Sequence, residues 1–203
     1  MYSKIIPSAN SQIRHPPIFP MLNRLFALLL LLLLSPVFLL VALAIIIEDG
    51  FPVFFRQKRV GKDYSFFTIY KFRSMKKNTP NVATHLLQNP TQYLLACGAL
   101  IRRLSIDELP NLINIVKGDM VFIGPRPALY NQDDLMQLRI NAGVHHMKPG
   151  ITGWAQVNGR DEISLEEKVR LEKEYLENRS LAMDMRIVAM TFFSSMAGKG
   201  VKH

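Results

Sequence analysis

One stretch constrains this chain more than any other: from Leu25 to Ile47 it carries no charge, between Arg24 on one side and Glu48-Asp49 on the other. As a helix, rising 1.5 Å per residue, it would reach roughly the thickness of a bilayer core, about 30 Å. Ser35-Pro36 stands in the middle of it. Proline there removes a backbone donor and clashes with the carbonyl of Leu32, and the Ser35 hydroxyl is placed to satisfy what the break frees. Basic residues flank both ends: Arg14 and Arg24 before, then Arg56, Lys58, Arg59 and Lys62 after. The positive-inside rule therefore gives no direction of crossing. A re-entrant helix pair with both ends on one side fits the central break and the two basic flanks; a proline-kinked helix that spans is the alternative. Ala42-Leu43-Ala44 matches a signal-peptidase pattern, but the apolar run is too long for an ordinary signal and continues through Ile45-Ile46-Ile47.

The remaining composition narrows the partners. The chain has 203 residues, enough for one domain with a core, and a formal net charge of +9, so its partners carry negative charge. Nucleic acid, anionic lipid and phosphorylated small molecules all qualify. A single cysteine, Cys97, excludes an intrachain disulfide and a Cys-rich zinc site. The division expected is an interfacial arm over 1–20, the membrane helix over 21–50, and a catalytic domain over 51–203.

Within that last part the patterns predict an α/β fold, mainly helical with short strands. Val53–Arg56 and Ser65–Arg73 read as strands joined near Gly61-Lys62-Asp63, and Asn78–Tyr93 as loop or short helix. Leu109, Leu112, Ile113 and Val116 mark one face of a helix starting near Asp107, with Pro110 in its first turn and Gly118 as its stop. Val121–Ile123 reads as a strand, Leu129–Asn141 as a helix, Pro149–Gly153 as a turn and Trp154–Val157 as a strand. Ser164 and Glu167 form a capping box for a helix to Asn178. Leu181–Met196 is apolar and suits either core or membrane interface.

Asp107 and Glu108 have an ordinary explanation, since acidic residues stabilise a helix N-terminus. Their surroundings argue for more. Arg102 and Arg103 lie just upstream, Arg126 sits between two prolines, and Arg160 follows a glycine turn. Arginines on rigid turns suit phosphate oxygens. Carboxylates beside them suit metal-assisted phosphoryl transfer, one attacking phosphorus or binding Mg²⁺. A helix dipole with these arginines is expected to keep Asp107 ionised. Tyr70-Lys71-Phe72-Arg73 interleaves aromatic and cationic residues as a nucleic-acid binder does, yet the same alternation fits a half-buried strand and no binding module accompanies it. An inactive membrane scaffold is the other rival.

Four ordered segments carry a resemblance. They are Ser105-Ile106-Asp107-Glu108-Leu109-Pro110-Asn111, Lys117-Gly118-Asp119-Met120, Gly124-Pro125-Arg126-Pro127, and the stretch from Pro149 through Trp154 to Arg160. With Tyr70–Met75 and Ser35-Pro36, they resemble the bacterial sugar transferase family, the monotopic polyprenyl-phosphate phosphoglycosyl transferases, over roughly Met21 to Thr191.

The resemblance implies an enzyme at the cytoplasmic face of the bacterial inner membrane. It would take a UDP-sugar donor and a polyprenyl phosphate acceptor, undecaprenyl by resemblance, against membrane lipid and with no nucleic acid. Asp107 would attack the sugar-linked phosphorus, UMP would leave, and Glu108 would assist the second half by binding metal or activating the acceptor. Mg²⁺ would be held by Asp107 and Glu108, with Glu172 as a further ligand, and Lys71, Arg102, Arg126 and Arg160 would hold phosphates. Ser35-Pro36 would form the re-entrant break. Two positions depart from the family pattern: Asn23 and Glu172 stand where Asp is usual. The resemblance assigns no sugar, downstream polymer or oligomeric state.

Overall fold

The computed structural model describes residues 18–80, 89–159 and 162–196. The apolar run forms two helices, α1 (Ile18–Leu33) and α2 (Ser35–Asp49), whose axes bend by 60° at the expected break. Among the described residues no single helix is long and apolar enough to cross a membrane, while this bent pair passes the test of length and composition together. Pro36 lies in the first turn of α2, where its missing N–H costs nothing. The Ser35 hydroxyl donates to the Leu32 carbonyl at 2.8 Å, so the group exposed by the break is satisfied locally.

Both legs are anchored on the rest of the chain. Ala27 is fully buried against Ile69, Leu112, Ile115 and Met120, with Leu30, Leu31 and Leu34 alongside. On the second leg Ile45 is fully buried against Val53, Phe72, Leu95 and Ile101. The middle of α1 is also held where Phe26 packs on Phe122, their ring centroids 5.4 Å apart. Asp49 at the end of α2 pairs with Arg73, whose guanidinium also donates to the carbonyls of Pro52 and Gly50. The outward faces stay apolar and exposed at Leu25, Leu29, Leu32, Leu39, Leu40 and Ile47.

After α2 come β1 (Phe54–Val60) and β2 (Phe66–Phe72), an antiparallel hairpin with Phe54 opposite Phe72 and Val60 opposite Phe66. Two strands form where expected, the first running on to Val60 instead of ending at Arg56. Tyr70 is half-buried under Lys117 and Arg56, whereas Phe72 and Arg73 are buried, so the Tyr70–Arg73 run is a half-buried strand.

The chain continues through α3 (Ala96–Arg103) to a 3₁₀ turn at Ile106–Glu108 and then α4 (Asn111–Lys117). Here the sequence reading needs correcting. The α-helix starts after Pro110, not near Asp107, because in a continuous α-helix the Pro110 ring would collide with the Ile106 carbonyl. The segment tightens instead to 3₁₀-type bonds, with Leu109 N–H donating to Ile106 O and Ile113 N–H to Pro110 O. The predicted apolar face is also too narrow. Leu112 and Ile115 are the most buried apolar residues of α4, since α1 covers the side that a lone amphipathic helix would leave to water. Gly118 caps α4 as expected, at φ 89° and with its N–H on Asn114 O.

Strand β3 (Val121–Ile123) leads to β4 (Ala128–Leu129), which pairs antiparallel to β1 and completes a three-stranded sheet in the order β2-β1-β4. Helix α5 (Asp133–Asn141) is shorter than predicted because Ala128-Leu129 joins that sheet. Strand β5 (Gly150–Thr152) lies parallel to β3, with Val121 opposite Gly150 and Ile123 opposite Thr152. The predicted turn is therefore the strand, and the predicted strand Trp154–Val157 is a single helical turn, α6. The glycines explain the exchange: a Cβ on Gly150 would lie 2.2 Å from the Gly124 nitrogen, so only glycine lets β5 come this close to the turn after β3. Helix α7 (Leu165–Asn178) is capped by Ser164, whose hydroxyl accepts from Glu167 N–H at 3.2 Å, and α8 (Leu181–Met196) closes the described chain. Ile187 on α8 is fully buried with Trp154, Leu171 and Tyr175, while Leu181, Met185, Phe192 and Phe193 are exposed. One helix thus supplies both core and an apolar outer face.

Candidate active site

The Asp107–Glu108 pair sits where α3 hands over to α4. Ser105 adopts left-handed backbone geometry, φ 55° and ψ 21°, which turns the chain sharply between the two helices. Both carboxylates are mostly buried, each side chain 13% exposed. From β2, Lys71 Nζ reaches Glu108 Oε1 at 2.7 Å and Asp107 Oδ2 at 4.0 Å. From the turn after β3, Arg126 Nη2 reaches the same Glu108 oxygen at 3.1 Å. Glu108 thus binds both cations, and Asp107 makes the longer contact with Lys71.

The electrostatics correct a second expectation. The carboxylates are not in the first turn of an α-helix, so they lose most of the dipole's help. Burial pushes the pKa of Asp107 above the usual carboxylate range; Lys71, Arg102 and Arg126 pull it back, while the like charge of Glu108 adds to the rise. Ionised Asp107 is therefore a largely desolvated carboxylate.

A small cleft adjoins the pair, lined by Arg59, Lys71, Glu108, Asn111 and Arg126 with the apolar walls Ile69, Met120 and Ile151. The structure brings together Asp107, Glu108, Lys71 and Arg126 as the sequence suggested, with Arg102 close enough to lower the Asp107 pKa. Arg160 lies outside the described residues. Glu172 is placed differently from expectation. Both its oxygens accept from Arg139, Nε to Oε2 at 2.8 Å and Nη2 to Oε1 at 2.5 Å, so the carboxylate is held in a buried ion pair. Asn23, the other departure, accepts weakly from Phe122 N–H at 3.4 Å and joins α1 to β3.

Two cleft residues escaped the sequence reading. Arg59 donates to Pro127 O at 3.1 Å and to Gln57 Oε1 at 2.6 Å, and its Nε is buried with no partner. Burial and the like charge of Arg126 pull its pKa down to about 10, against Glu108, which leaves it charged at neutral pH. The signal was present, because alternation along β1 puts Gln57 and Arg59 on the half-buried face while Arg56 and Lys58 face out. Asn111 is 2% exposed with an unpartnered Oδ1; as the residue after Pro110 it looked like ordinary helix.

Asp107 and Glu108 are also the donors a Mg²⁺ ion could use. Among the described residues no three His, Cys, Asp or Glu side chains form an all-protein cage. That ion characteristically takes one or two carboxylates and completes its shell with phosphate oxygens and water, which this pair fits.

The chain matches the family described as bacterial sugar transferase over residues 18–198. It belongs to that family. The uncharacterized sugar transferase EpsL of Bacillus subtilis is 41% identical over 185 residues, covering 89% of this chain and 90% of that protein. The UDP-glucose:undecaprenyl-phosphate glucose-1-phosphate transferase of Escherichia coli is 40% identical over 181 residues, or 85% of this chain and 39% of that protein. The UDP-N-acetylgalactosamine-undecaprenyl-phosphate N-acetylgalactosaminephosphotransferase of Aeromonas hydrophila is 37% identical, over 92% of this chain and 46% of that protein. This bacterial sugar transferase therefore spans nearly all of the first relative and less than half of the other two.

Proposed function

We propose that this transferase moves a sugar 1-phosphate from a UDP-sugar onto undecaprenyl phosphate and releases UMP. The observation that carries the reading is the buried Asp107–Glu108 pair, ringed by Lys71, Arg126 and Arg59, in a body that also presents a bent, outwardly apolar helix pair. The names of the Escherichia coli and Aeromonas hydrophila relatives support the same chemistry.

The reaction runs as two displacements at one phosphorus. An Asp107 oxygen attacks the sugar-linked phosphorus, the bond to the bridging oxygen breaks, and its electron pair leaves on UMP. An oxygen of undecaprenyl phosphate then attacks the same phosphorus from the vacated side. The bond to Asp107 breaks, returning the carboxylate and forming the lipid diphosphosugar. Two inversions give net retention at phosphorus, and a soluble donor and a lipid acceptor use one small cleft in turn. Lys71 and Arg126 rest on Glu108 until the donor arrives and then serve its phosphate oxygens. Mg²⁺ held by Asp107 and Glu108 would offset the pyrophosphate charge.

The site works at the cytoplasmic face of the inner membrane, where nucleotide sugars are made, and the helix pair enters and returns on that side. Support comes from packing: both legs bury residues against the same globular body, so straightening the pair into a span would strip Ala27 or Ile45 of its contacts. The test is UMP release from a panel of UDP-sugars in detergent with Mg²⁺, with and without undecaprenyl phosphate. Sustained release that needs the lipid is expected; a folded enzyme that turns over none of the donors contradicts the reading.

A further inference from the structure

Arg126 stands on a turn whose backbone is held from two sides. Its own carbonyl accepts from Arg139 Nη2 at 2.9 Å, and the next carbonyl, that of Pro127, accepts from Arg59 Nη1 at 3.1 Å. Arg139 in turn is locked two-pronged onto Glu172, with side chains only 6% and 3% exposed. A buried ion pair is seldom more stable than apolar side chains of the same volume, so stability alone is a poor reason to keep one here. What apolar side chains could not supply is the N–H on the Arg126 carbonyl. Pro125 and Pro127 fix φ on either side of Arg126, and Arg139 holds the carbonyl of the residue between them.

We propose that Arg139 and Glu172 form a positioning pair that aims the Arg126 guanidinium at the donor pyrophosphate, with Glu172 acting through Arg139 and not on a metal. This rests on the transfer reading above. It also gives Glu172 a role for its extra methylene, since the carboxylate must reach across from α7 to α5 with both oxygens level with the guanidinium.

The test is a double-mutant cycle on UDP affinity, by calorimetry in magnesium-containing buffer. Glu172→Gln alone would leave Arg139 buried without a countercharge and risks unfolding, so the pair is replaced together as Arg139→Met with Glu172→Met. In the wild type, Arg126→Ala should weaken UDP by about 10-fold or more, the worth of a charged hydrogen-bonded contact. In the Met-Met background the same change should cost less than about 3-fold, because Arg126 is already misaimed. Glu172→Asp, which keeps the charge, should restore part of the coupling. Equal costs of Arg126→Ala in both backgrounds would overturn the proposal, as would a wild-type affinity that Arg126→Ala leaves unchanged. Binding is read without the lipid acceptor, so an enzyme that binds UDP yet releases UMP from no donor fails the transfer reading and leaves this cycle legible.

Discussion

Asp107 carries the largest physical burden in this molecule, because the fold buries it and the reaction needs it charged. Its raised pKa means that above that value the folded chain holds an ionised carboxylate more reluctantly than the unfolded chain does. The stabilisation from proton binding is present at low pH and is lost as pH rises through the folded pKa. Asp107→Asn, which mimics the protonated form, should therefore abolish turnover yet melt at an equal or higher temperature than wild type at neutral pH, the difference closing in acid. A melting temperature several degrees lower at pH 7 would show the carboxylate to be a net stabiliser instead. Among its charged neighbours, Lys71 does most to lower the Asp107 pKa. Lys71→Met should shift the acid limb of the kcat/KM profile to higher pH as well as reducing its plateau; an unmoved limb would remove Asp107 as the group that must lose a proton. At this scale the sequence was legible where a residue stood in a motif, as Asp107, Glu108, Lys71 and Arg126 do. It marked Glu172 but was silent on its pairing with Arg139, because the two are far apart in the chain and lie on different helices, so neither helix's own pattern shows the other.

The elements tell a similar story, with the misreadings traceable to particular atoms. Pro110 moved the start of α4, and the absence of Cβ atoms at Gly124 and Gly150 turned a predicted turn into β5, both tertiary decisions that periodicity does not see. The helix pair was legible because its break is local: a proline, a serine hydroxyl and one freed carbonyl within five residues. Pro36→Ala restores the missing N–H, and combined with Ser35→Ala it removes the satisfied break. The double variant should place some N-termini on the far side of the membrane, whereas the wild type keeps an N-terminal tag on the side of the catalytic domain. Substituted-cysteine labelling at the two ends reads this directly. A wild-type N-terminus labelled from the periplasm would replace the hairpin with a spanning helix.

Seen whole, the molecule joins an outwardly apolar helix pair to the cation-lined cleft beside Glu108 through continuous packing. Ala27 of α1 touches Ile69 of β2, two residues from Lys71, and Ile45 of α2 packs on the cluster that holds Phe72 and Ile101, flanking the same site. The acceptor's phosphate must be delivered from the membrane to the cleft, and this arrangement sets the cleft in the body that carries the helix pair. Such continuity is invisible along the sequence, where residues 27, 69 and 115 have nothing in common, although the net charge of +9 and the apolar run pointed to an anionic and an apolar partner. The central claim is that one carboxylate carries the phosphosugar between them. The most direct measurement is intact-protein mass spectrometry after rapid mixing with the UDP-sugar and Mg²⁺ in the absence of undecaprenyl phosphate. A mass increase of one sugar phosphate, with a matching burst of UMP and neither in Asp107→Asn, is the predicted result. UMP appearing only with the lipid, with no adduct at any time, would mean direct transfer and contradict the account.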